Sequence, residues 1–78
     1  MKLPPMVRVT WWDACSGGTD WVRPDKAPME VKQSHTVGFL VRKDKVKIVV
    51  ALNWDGVEYV SDMIAIPLVN VIKVKRLR

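Results

Sequence analysis

Apolar side chains in this chain recur at every second position, and no stretch repeats them at the three-and-four spacing of a helix face. That single regularity rules out a helical bundle and dictates a chain of strands. Val7, Val9 and Trp11 alternate with Arg8, Thr10 and Trp12. Val37, Phe39 and Val41 alternate with Gly38, Leu40 and Arg42, and Val46, Ile48, Val50 and Leu52 return after a tight turn at Lys43-Asp44-Lys45. Asn53-Trp54-Asp55-Gly56 carries the Asp-Gly signal of a second turn. Val57, Tyr59, Met63, Ile64 and Ile66 extend the pattern, Pro67 breaks the ladder, and residues 69–77 close the chain as a last apolar strand. Between the first strand and the hairpin lie a polar, glycine-bearing loop at 13–20 and a proline-marked connector at 24–34 with one helical turn near 27–31. Gly38, inside a strand pattern, marks a bend. The expectation is an all-β fold of five strands, closed into a small barrel that covers its own edges.

With 78 residues the chain is expected to form one domain, and 49% hydrophobic content supplies a core whose margin over chain entropy is thin. Self-association is the common remedy at this size. Charged residues interrupt every apolar run well short of a membrane span, and Pro4 and Pro5 stand where a signal peptide would place its apolar stretch. The expected product is soluble and cytoplasmic, with no membrane partner. One cysteine and one histidine exclude an internal disulfide and argue against a zinc site, so no metal and no cofactor is expected. Gly17-Gly18 is an ordinary loop signal rather than a phosphate loop. Nucleophilic catalysis would have to recruit Cys15 with His35 and Asp13, whose spacing carries no catalytic signature. No carboxylate pair is spaced for acid–base work. The reading is a protein that is not an enzyme and has no catalytic residues.

Thirteen lysines and arginines against eight carboxylates give a net charge of +5, concentrated beyond residue 35. Two clusters carry the excess, Arg42, Lys43, Lys45 and Lys47, then Lys73, Lys75, Arg76 and Arg78. The first seven of these are candidate contacts to phosphate or nucleic acid. The same lysines also serve an edge strand that must not aggregate.

Tryptophan is the compositional anomaly. Four occur in 78 residues, and Trp11, Trp12 and Trp21 flank the polar loop. Adjacent Trp11 and Trp12 in a strand must face opposite sides. Trp11 is expected in the core. Trp12 and Trp21 are expected at a ligand or subunit interface, where indole rings stack on bases or anchor proteins. Asp13 and Ser16 offer polar contacts beside the rings, Arg8 and Arg23 offer charge, and His35 offers a surface or ligand contact. These residues form the candidate ligand site.

The stretch from Thr36-Val37-Gly38-Phe39-Leu40-Val41 through residues 46–53 to Ile64-Ala65-Ile66-Pro67-Leu68-Val69-Asn70-Val71-Ile72 resembles the Sm-like barrel of the bacterial host-factor type. Such a barrel has two long bent strands meeting at a tight turn, then a one-turn break before a last strand. SH3-like barrels give a similar string, so the fold implied is a five-stranded SH3/Sm-like barrel with a long Trp-flanked loop after the first strand. Ahead of this region the chain carries prolines and tryptophans where Sm-like proteins have a helix. The whole chain is also similar to a group of small phage-encoded β-barrel proteins, through Trp11-Trp12-Asp13-Ala14, Gly18, Trp21, Val37-Gly38-Phe39-Leu40-Val41 and Ile66-Pro67. That resemblance implies a viral origin, a place in the cytoplasm of an infected cell and a host-interfering role.

Two functions follow as expectations. In the first, a homo-oligomeric barrel holds an anionic nucleotide-type ligand, such as a nucleotide immune signal of the host, or single-stranded nucleic acid. In the second, an exposed tryptophan and an apolar face of Leu40, Val49 and Ala51 dock on a protein partner as an inhibitor or assembly module.

Overall fold

A computed structural model describes residues 4–14, 21–27 and 31–78. Five strands form one antiparallel sheet: β1 (Met6–Ala14), β2 (Val31–Lys43), β3 (Lys47–Trp54), β4 (Val60–Pro67) and β5 (Val71–Arg76). Their order across the sheet is β4-β3-β2-β1-β5, and no α-helix occurs among the described residues. Single 3-10 turns at Pro24–Lys26 and Leu68–Asn70 are the remaining regular structure. β4 and β5 are therefore the two edges of the sheet.

Strand pairing explains the alternation. Val7 and Val9 of β1 face the same side as Ile48 and Val50 of β3 and Ile66 of β4, and these five form the buried cluster. Trp11, Leu40, Leu68 and Val71 pack around it. Bringing β1 and β4 residues into one cluster requires the sheet to curl over its inner face. Two register shifts mark where it bends, between Thr10 and Trp11 against β5 and between Leu40 and Arg42 against β3. Gly38 lies between them, buried, where a side chain would meet the Ala51 carbonyl oxygen of β3 at 2.5 Å. Only hydrogen fits there, which is the reason glycine interrupts the strand pattern.

Several boundaries differ from the sequence expectation. β2 begins at Val31 rather than Thr36, because residues 31–34 pair with the far end of β1, from Ala14↔Val31 to Trp11↔Ser34. Asp13 and Ala14 are thereby strand rather than loop; residues 15–20 of the expected loop, and 28–30 of the expected helical turn, lie outside the described residues. β3 runs through Trp54, so the second turn comes later, at 55–59, and Val57 and Tyr59 are turn residues instead of strand. There the Asp55 carboxylate accepts the main-chain N–H groups of Val57, Glu58 and Tyr59 at 2.8–3.1 Å. Gly56 supplies the positive φ that the turn needs. Leu40, Val49 and Ala51 do not share a face: Leu40 packs on the inner cluster opposite Val50, while Ala51, on the other side, is itself buried.

Candidate functional site

The period-two geometry of β1 divides the expected ligand residues between two faces. Trp11 turns inward, packs on the buried cluster and donates its indole N–H to Thr36 Oγ1 at 2.9 Å. Asp13 shares that side and accepts the Ser34 hydroxyl at 3.1 Å. Trp12 faces the opposite side and stays 48% exposed. Asp13 is thus separated from Trp12 by the sheet itself.

Register assembles the outer face around Trp12. Trp12 stands opposite Gln33, Thr10 lies between His35 of β2 and Lys73 of β5, and Arg8 lies between Val37 and Lys75. Cross-strand partners in an antiparallel pair project from the same side, with Cβ atoms about 5 Å apart. Arg8, Lys73, Lys75, His35 and Trp12 therefore line one surface, although residues 8 and 75 lie at opposite ends of the chain. No carboxylate occupies these rows, because the acidic residue of β1 projects from the other face.

Two contacts give this surface internal order. The Thr10 hydroxyl, only 8% exposed, meets His35 Nδ1 at 3.0 Å and orients the imidazole. Thr10 is the member that sequence reading missed, since a threonine in an alternating strand gives no sign of its partner. Arg8 is half-buried, and its buried Nε meets no acceptor among the described residues. A buried donor without an acceptor is costly, so this side chain is held at an energetic expense.

The other expected residues lie elsewhere. Trp21 is fully exposed and Arg23 is exposed beside it, ahead of a single turn in which the Arg23 and Pro24 carbonyls accept from Lys26 and Ala27. Ser16 lies outside the described residues. Arg42, Lys43 and Lys45 are exposed around the β2–β3 turn, and Lys47 pairs with Asp44 at 2.8 Å. Asp44 also accepts the amides of Val46 and Lys47, and these bonds with the Lys47 ammonium hold its carboxyl well below the usual range. The first basic cluster is thus a turn whose lysine is already partly neutralised, and it does not join the Arg8 surface. Arg76 falls on the other side of β5 from Lys75 and lines a cleft with Phe39 and Trp54.

No family model, curated protein or solved structure matches the chain. Among the described residues no group of three metal-ligating side chains converges, and no helix is long and apolar enough to cross a membrane.

Proposed function

We propose that this protein binds an anionic nucleotide-type ligand, without catalysing a reaction, on the outer face of β5, β1 and β2. The observation that carries the reading is the register that puts Arg8, Lys73, Lys75, His35 and the exposed ring of Trp12 on one face with no carboxylate among them. Phosphate is met by the cationic groups of Arg8, Lys73 and Lys75, and a base stacks on Trp12. In the viral setting that the sequence resemblance implies, the role is sequestration of a nucleotide signal of the host. The proposed assembly is a homo-oligomer in which the curled sheet is completed as an SH3/Sm-like barrel.

Self-association is supported by the apolar surface. Val31, Leu52, Val57, Tyr59, Met63, Val69 and Ile72 are all exposed, against a core of five packed side chains. A surface of that kind also favours the second reading, docking on a different protein through Trp21 and its apolar neighbours.

Native mass spectrometry of gently purified protein, with accurate mass of anything released on denaturation, tests the proposal. The expected result is a defined oligomer that releases a phosphorus-containing molecule of a few hundred daltons. Replacing Arg8 and Lys75 by Gln is expected to abolish that ligand while the circular dichroism of the sheet is unchanged. A protein that retains its partner after both substitutions would favour the docking reading instead.

A further inference from the structure

We infer that the cleft between Pro4-Pro5 and the Phe39–Trp54 pair is a separate binding site that takes a ring-bearing anion of mononucleotide size. It does not rest on the outer-face reading, since neither Trp12 nor Arg8 lines it. The cleft measures about 300 Å³ and is walled by Pro4, Pro5, Met6, Phe39 and Trp54, with Arg76 and Arg78 completing the lining. That volume stands at the small end of small-molecule sites.

Two features give the cleft its chemistry. Phe39 and Trp54 meet edge-to-face, with ring centroids 5.7 Å apart and planes at 65°, so two differently oriented aromatic surfaces border one space. Among the described residues, the charged side chains in the lining are two guanidinium groups, which select for phosphate or carboxylate.

The proline wall is held by the main chain, where Pro5 carbonyl accepts from Leu40 N–H and Met6 carbonyl accepts from Leu77 N–H, each at 2.8 Å. The Arg76 side chain is steadied by its Nε, which donates to the Arg78 carbonyl at 3.2 Å. Pro4 and Pro5 add backbone stiffness of their own. A site built this way loses little entropy when a rigid ligand enters.

Equilibrium titration of the full chain with the ribonucleoside 5′-monophosphates, the matching nucleosides and inorganic phosphate tests this. At least one monophosphate is expected to bind, with the nucleoside and phosphate alone each weaker by about tenfold or more. Arg76→Gln with Arg78→Gln should weaken binding by about tenfold, the scale of losing a charge-assisted hydrogen bond. Trp54→Leu removes one aromatic wall and should weaken binding about fivefold or more. Arg8→Gln, which disables the outer face, should remove only the outer-face component of the titration and leave the Arg76/Arg78-dependent component in place. Failure of every monophosphate to bind below about 1 mM overturns the inference. So does binding that survives the Arg76/Arg78 pair but is lost with Arg8→Gln, an outcome that leaves the outer-face reading standing. Phosphate competing as well as the nucleotide also overturns it, because the rings would then have no part.

Discussion

Single atoms decide two properties of this sheet. At Gly38, a methyl group would lie 2.5 Å from the Ala51 carbonyl oxygen and 2.7 Å from Val50 Cγ1. The carbonyl belongs to the backbone of β3, which is paired on both sides, with β2 and β4. Gly38→Ala is therefore expected to cost about 2–3 kcal/mol, read as a lower urea midpoint at unchanged slope. Ile48 is fully buried in a cluster of only five residues, so Ile48→Ala should cost about 3–4 kcal/mol. In a domain this small a loss of that size can leave the chain largely unfolded at room temperature, which circular dichroism would report. At the site, Thr10→Val keeps the shape and removes the hydroxyl that meets His35 Nδ1. It should weaken ligand binding while leaving the strand intact, because the imidazole loses its orienting partner.

Among the connections, two aspartates act as local templates. Asp55 accepts three main-chain N–H groups in the β3–β4 turn, and those bonds lower its carboxyl below the ordinary 3.8. Asp44 is lowered in the same direction by Lys47 and by two amides in the β2–β3 turn. The sign follows from linkage. Above the ordinary carboxylate value both groups are ionised, folded or unfolded, and their stabilisation is complete. As pH falls below about 4, the unfolded chain takes up protons first, and the stabilisation drains away until the folded carboxyls protonate as well. Melting temperature should thus decline with acidification from pH 5 towards pH 2. Asp55→Asn with Asp44→Asn should flatten that limb while lowering stability at neutral pH. If the double variant shows the wild-type acid slope, these turns are not the source.

The chain as a whole is more extended than its length implies. Its radius of gyration is 15.8 Å and its extents are 54 × 21 × 21 Å, whereas a compact domain of this length has a radius near 11–12 Å. Such a shape exposes the residues that a second copy would cover, including Val69, Ile72 and Val74 around the β5 edge. Light scattering in line with gel filtration is expected to give a multiple of 8.9 kDa, and the melting temperature should rise with protein concentration. A monomer whose melting temperature is independent of concentration would remove the oligomer from the proposed function. Because the proposed ligand meets several cations at once, its affinity should also fall steeply as salt is raised.

Alternation along the chain was enough to read the all-β class, the hairpin at Asp44 and the inward Trp11 against the outward Trp12, because each depends on neighbours within a few residues. The β2 extension to Val31 was illegible for the opposite reason. Lys32, Gln33 and Ser34 have no apolar rhythm, and only pairing with β1, some twenty residues earlier, makes them strand. The same holds for the sites. Composition singled out Trp12, Arg8 and His35, but nothing local could join them to Lys73 and Lys75, or remove Asp13 to the other face and Arg76 to a cleft beside Trp54. What each residue can do is written in its side chain and its parity along the strand. Which residues meet is decided by register and curl, and those are set by the long-range burial of Val7, Val9, Ile48, Val50 and Ile66 in one cluster.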